Sequence, residues 1–345
     1  MESLKNQGKR RNFASQYWRN FQLIHAVPKQ IENKMIRFYR HEEIDRTRWD
    51  ACIEASPAAT LFASFDFLSV ANPEWAALIE DDYTAVMPLP WRSKFGMKYV
   101  YNPFYFSRLG IFSAEAVTCK KVAEFLQAVP KSFVSIDMNL NESVPDEASV
   151  PNGHLKVSHR LDLNQPYEVI CKGYGSNHKR NIKAARAFGL VINESIYAED
   201  VITLYRGSRR GSGKNVRMQD GDYDIFLEVC ELARQRGLTD VWGVRDSDGI
   251  LLAGAVFLRD YDRVWFWASG REEERADRKA MFFLMDEYIQ QHAQRPLVLD
   301  FNGSSTESVA RFYAGFGSQR YTFPALSVIS NSWAKPLLHL YRKIK

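Results

Sequence analysis

Apolar and polar positions divide this chain into short units whose periods alternate between two and about four residues. Ile36 to Tyr39 reads as a strand, and Ile44 to Ala55 as a helix turning Trp49, Cys52 and Ile53 inward until Ser56-Pro57 stops it. Trp75 to Glu80, Tyr83 to Pro88 and Lys98 to Tyr101 read as strands, with Asp81-Asp82 as a tight turn. Val117 to Val129 is an amphipathic helix ended by Pro130, and Phe133 to Asn139 a strand after it. The polar run 141–152 predicts an exposed loop near a domain boundary. His154 and His159 follow in a strand pattern and receive no role.

The second half repeats the alternation. Asp222 to Arg236 predicts a helix whose inner face is Ile225, Phe226, Val229, Leu232 and Ala233, closed by Gly237. Asp240 to Val244, Leu251 to Arg259 and Val264 to Ala268 predict strands, with a hairpin turn at Asp248-Gly249. Ala276 to His292 predicts a helix with Ala280, Met281, Leu284, Tyr288 and Ile289 inward. Leu297 to Phe301 is a buried-strand run ended by Asn302-Gly303-Ser304. Ser304 and Glu307 have capping-box spacing, Val309, Phe312, Tyr313 and Phe316 recur at helical spacing, and Gly317 suits a C-cap. Arg320 to Phe323 reads as a further strand.

Composition and charge narrow the class. The chain has 345 residues, 46% hydrophobic and 25% charged, enough for two domains, and no apolar run approaches the ~18 residues of a membrane span. Its net charge of +5 resides in residues 1–34, so the rest is balanced and gives no reason to expect DNA as a partner. That segment lacks the apolar core of a secretory signal and is expected to be a disordered basic arm, or a stretch upstream of a natural start at Met35. Cys52, Cys119, Cys171 and Cys230 stand alone, which suits reduced thiols in a cytoplasmic protein and implies no metal site.

Two stretches carry candidate chemistry. From Tyr174 to Arg186 no acidic side chain occurs, while Lys179, Lys183 and Arg186 share one helical face with Arg180 beside them. Such a face suits phosphate, or is simply a basic surface. Residues 206–217 (Arg206 to Arg217) predict a flexible basic loop, either a lid over an anionic substrate or plain solvated chain. It is no P-loop, which would need glycine at Ser208 and a hydroxyl at Asn215.

The second stretch, strand, polar elbow, short helix with Phe312-Tyr313-x-x-Phe316-Gly317, then strand, resembles the closing βαβ unit of the GNAT acyltransferase fold. Asp300-Phe301-x-Gly303-Ser304 before that helix, and Tyr174-x-x-x-x-Lys179-Arg180-Asn181-Ile182-Lys183, further resemble the FemAB/FemX-like branch. The resemblance implies an α/β (α+β) fold of two tandem GNAT-like domains, each a mixed sheet flanked by helices, at residues 35–165 and 166–345. It implies a metal-free transferase passing an acyl group from acetyl-CoA or another acyl-CoA to an amine. The alternatives are a FemX-like peptidyltransferase using charged tRNA on a cell-wall precursor, and a non-catalytic binding module.

In that reading Tyr313 is the acid, Asp300 or a water the base, and the strand splays near Trp267, Ser269 and Gly270. Arg278 and Lys279 would replace the missing pyrophosphate glycines, since residues 270–280 contain Gly270 but no Gly-x-Gly. Tyr174, Lys179, Arg180, Lys183 and Arg186 would hold a small or nucleotide-linked amine acceptor. Trp91, Arg92, Tyr101 and Arg108 would line an acceptor cleft, or merely pack a sheet edge.

Overall fold

The computed structural model describes residues 34–145, 153–212, 220–303 and 306–329. The described residues from Ile36 onward form one compact unit. The basic arm, most of the 141–152 loop, residues 213–217 of the predicted basic loop and Ser304 lie outside the described residues.

The first half contains β1 (Ile36–Tyr39), α1 (Arg46–Ala55), α2 (Phe65–Ala71), β2 (Ala76–Glu80) and β3 (Ala85–Leu89). It continues through β4 (Trp91–Lys94), β5 (Met97–Tyr101), β6 (Phe112–Ser113), α3 (Cys119–Ala128) and β7 (Phe133–Asn139). Then come β8 (Gly153–Asp162), α4 (Tyr167–Lys172), α5 (Ser176–Ala187), β9 (Val191–Asn193), α6 (Ala198–Ser212) and α7 (Asp220–Gln235). The chain closes with β10 (Thr239–Arg245), β11 (Leu251–Asp260), β12 (Arg263–Arg271), α8 (Ala280–His292), β13 (Val298–Asp300), α9 (Glu307–Ala314) and β14 (Gln319–Ile329).

These strands build two sheets. One has the order β1-β2-β3-β6, the other β4-β5-β7-β14-β8-β13-β12-β11-β10-β9. Only β5/β7 and β12/β13 are parallel neighbours in them. β14 is the seam of the larger sheet: it pairs with β7 through Ala325 to Ile329 and with β8 through Gln319 to Leu326. Strands from both halves of the chain therefore share one hydrogen-bonded surface, as a mixed α/β fold with two sheets.

Three elements depart from the sequence expectation. Arg206 to Ser212, expected as loop, continue α6, because Val201, Ile202 and Leu204 bury against the sheet and carry the helix past its glycines. The helix expected from Ala276 starts at Ala280, after a 3₁₀ turn at Ala276–Arg278 and a left-handed Lys279. The C-terminal strand is also far longer than the four residues its pattern offers.

Glycines decide how closely α6 approaches. Gly243, Gly254 and Gly270 pair across β10, β11 and β12 in one row. A Cβ on Gly254 would lie 3.1 Å from Val201, and one on Gly270 2.2 Å from the Tyr205 backbone nitrogen. Gly270 thus admits the helix backbone. Replacing it with alanine forces α6 outward, with an expected loss of about 1–3 kcal/mol in denaturant unfolding. An unchanged midpoint would show that α6 does not rest on this row.

Candidate active site

The site begins where two parallel strands part. β12 and β13 pair at Arg263↔Val298, Val264↔Leu299 and Trp265↔Asp300. Beyond Asp300 the chain leaves the sheet through Asn302 and Gly303, at φ +56° and +106°. β12 runs on to Arg271, and among the described residues no strand pairs with that edge after Trp265.

A β-bulge sharpens the parting. Val256 pairs with Ala268 but Phe257 with Phe266, so Trp267 is the extra residue. A bulge bends its strand and re-aims the neighbouring groups. Trp267 and Ala268 consequently both enter one core cluster, while Val264 and Phe266 enter the other. Trp267 is held there by stacking on Phe226 at 4.5 Å and by donating its indole N–H to the Tyr105 carbonyl at 2.8 Å.

Tyr313 stands on the Phe266 side of the notch. Its ring stacks on Phe301, centroids 4.5 Å apart at 27°, and meets Phe266 edge-on at 6.1 Å. Burial, and secondarily the Asp300 charge, raise its hydroxyl above the ordinary tyrosine value, so the proton stays on through neutral and mildly alkaline pH. His159 of β8, given no role from sequence, lies with its ring 6.2 Å from Tyr313. Burial, then the positive Arg320, lower its pKa, which favours a neutral imidazole at pH 7. A histidine in a strand has no local signal that distinguishes this placement.

Asp300 is fully enclosed. Oδ1 accepts from the Ser158 hydroxyl at 3.1 Å and the Asn302 amide at 2.9 Å, and Tyr321 donates to Oδ2. Arg108 and Arg263 approach Oδ2 at 3.7 and 3.8 Å. This carboxylate ties β8, β13 and β14 together directly behind the notch.

The basic helix α5 is joined to the tyrosine segment by two hydrogen bonds. The Gly175 amide donates to the Gly315 carbonyl at 2.9 Å, and His178 donates to the Phe312 carbonyl at 2.8 Å. Gly315 is required, since a Cβ there would fall 1.9 Å from the His178 ring. Tyr174 is buried edge-on against Phe316, and Arg186 pairs with Asp286 and Glu287 at 2.9 and 2.7 Å. Lys179, Arg180 and Lys183 are exposed; Lys179 donates to the Lys172 carbonyl and Arg180 to the Asn177 side chain.

The remaining predicted residues divide. Ser269 pairs with Ala255 on the stretch of β12 that continues past β13, and Gly270 faces α6. Arg278 lies over Phe188 at 4.6 Å, and Lys279 immediately precedes α8. Trp91, Arg92 and Tyr101 are on β4 and β5, which stand at the opposite end of the strand order from β9 and β10. Arg92 stacks on Tyr101 at 4.6 Å and pairs with Asp222 at 2.7 Å; Trp91 borders a separate cavity of about 360 Å³ with Lys98 and Phe133. Among the described residues no cluster suited to a metal occurs, and no helix is long and apolar enough to cross a membrane.

With this geometry in place, comparison with known proteins is informative. Residues 176–313 match the acetyltransferase (GNAT) domain family. No curated protein sequence matches the chain significantly. Among solved structures, FemX matches with TM-score 0.61 at 12% identity, covering 86% of this chain and 98% of its own. A conserved protein of unknown function from Bacteroides thetaiotaomicron VPI-5482 matches with TM-score 0.51 at 9% identity, over 86% and 100%. At these identities the likeness is one of fold.

Glu142 gives the polar layer behind Asp300 a pH signature. It pairs with Arg160 at 3.0 Å and Arg263 at 3.3 Å. Burial opposes its charge, but Arg263, Arg160 and Arg108 outweigh that and hold its pKa below the ordinary 4.5. A lowered folded pKa means stability present above 4.5 and lost as pH falls through the folded value. Glu142→Gln should therefore lower the melting temperature at pH 7 and converge on the parent protein in strong acid. A difference independent of pH would contradict the pairing.

Proposed function

We propose that this chain is an acyltransferase moving an acyl group from acyl-CoA to an amine acceptor, since residues 176–313 match the GNAT domain family and the chain shares the fold of FemX. The observation carrying the reading is the bulged, unpaired edge of β12 beside the end of β13, with Tyr313 stacked at its mouth. An open strand edge has backbone N–H groups without strand partners. Preorganised donors of that kind polarise a carbonyl as charge develops on its oxygen.

Acyl-CoA, when bound, supplies the activated carbonyl. The residues available to hold its phosphates are Arg278, Lys279 and the first amides of α8. Gly270 offers no cradle, because α6 fills the space over it. In this reading the neutral His159 imidazole takes the proton of the acceptor amine, directly or through a water. The Tyr313 hydroxyl, kept protonated by burial, donates to the departing group. Asp300, saturated by Ser158, Asn302 and Tyr321, positions the strand end.

A second reading, transfer from charged tRNA, draws on a different observation. Glu272, Glu273 and Glu274 stand before α8, unfavourably for pyrophosphate, whereas Lys179, Arg180 and Lys183 present an exposed basic face suited to a nucleic-acid backbone. Turnover assays with acetyl-CoA, longer acyl-CoAs and charged tRNA over a panel of amines separate the donors; no turnover with any of them would favour a binding module. With whichever donor works, Tyr313→Phe should reduce kcat about 100-fold or more without lowering the melting temperature materially. An unaltered kcat would remove Tyr313 from the chemistry.

A further inference from the structure

Arg108 presents an unusual balance of burial and bonding. It is 2% exposed, on the loop between β5 and β6. Its Nη1 donates to Ser107 Oγ at 2.9 Å and stands 3.7 Å from Asp300, whereas Nε and Nη2 have no hydrogen-bond partner. A guanidinium carries five N–H donors and keeps its charge at any working pH. Leaving such donors buried and unmatched is costly. The rings of Phe323, Trp265 and Tyr321, at 4.2, 5.1 and 5.2 Å, fix the group in place without satisfying those donors.

Arg108 borders a cavity of about 130 Å³ whose wall also includes Arg263, Glu142, Asn141, Ser143, Trp265 and Ala59. That is room for roughly four waters, or for one carboxylate or phosphate group. The acids nearby are already engaged. Asp300 is held as described, Glu142 pairs with Arg160 and Arg263, and Asp260 accepts from the Leu61 amide and the Trp265 indole. Arg108 and Arg263 thus border this space together with Glu142, and among the described residues no carboxylate bonds Nε or Nη2 of Arg108. Those two nitrogens form the side of the guanidinium that grips an oxyanion through two parallel hydrogen bonds.

We propose that this cavity is an anion subsite, taking a carboxylate or phosphate group of the acceptor at Arg108 and Arg263. Its position suits that role, because Trp265 forms its wall and is also the last β12 residue paired with β13 before the notch opens. The link to the acceptor rests on the acyl-transfer reading; the binding of an oxyanion does not.

The test is thermal unfolding of the full chain at constant ionic strength, with sodium acetate or inorganic phosphate replacing chloride. At ten times its dissociation constant a bound anion should raise the melting temperature by about 2 °C, saturably. Response to acetate alone identifies a carboxylate site, and response to phosphate alone a phosphate site. Arg263→Gln, which removes a cation, and Ala59→Leu, which fills the space while keeping every charge, should each abolish the rise. Neither depends on the folding of an Arg108 variant. No response beyond chloride for either anion, or an undiminished response in both variants, overturns the subsite. A saturable rise in a protein that transfers no acyl group would leave the subsite standing and remove only its assignment to an acceptor.

Discussion

The structure turns on β12 being unable to remain paired with β13. Three residues of parallel ladder are followed by a bulge at Trp267 on one strand and a left-handed exit at Asn302-Gly303 on the other. Once the strands separate, backbone polar groups of β12 lose the partner that a continuous sheet would provide. The surroundings keep the opening from collapsing. Trp267 is pinned to Phe226 and the Tyr105 carbonyl, and α6 lies against Gly270. On the opposite face Phe266, Phe301 and Tyr313 form an aromatic stack. The opening is therefore built on rigid elements, as a site that positions reactants requires.

Both halves of the chain contribute to that rigidity. Asp300 joins β8, β13 and β14 at the base of the notch, and Arg108 approaches it from the first half. Further out, Arg92 on β4 closes on Asp222 of α7. The first-half cluster includes Trp265, Trp267 and Ala268, so β12 packs its inner face into a core it shares with residues from Ile44 to Leu140. A disturbance in the loop carrying Tyr105 or Arg108 would thus be felt at the bulge.

Much of this was legible in the sequence because its signals are local. The βαβ unit around Tyr313 announced itself through a short apolar run, a polar elbow and helical spacing of Phe312, Tyr313 and Phe316. The basic face of α5 followed from an uninterrupted absence of acids, and the two segments do pack together through Gly175 and Gly315. What escaped depends on register or on distant partners. A bulge leaves no mark in composition, since it arises from how β11 and β12 align. Gly270 reads as part of a strand splay, and the helix packed against it was obscured because the second half of α6 is built of Arg, Gly and Ser, residues typical of a loop. Arg186 looks like part of a phosphate-binding face, yet Asp286 and Glu287, far along the chain, engage it. His159 acquires its neighbourhood only when β8 is placed beside β13.

Hydrogen–deuterium exchange on the full chain, with and without a donor, addresses the opened edge of β12 most directly. Acetyl-CoA, a longer acyl-CoA or charged tRNA should slow exchange of the amides between Trp267 and Gly270, together with those at the start of α8. If every donor leaves those amides unaffected, or protects only surfaces remote from β12, the unpaired strand edge is not where the acyl group is received.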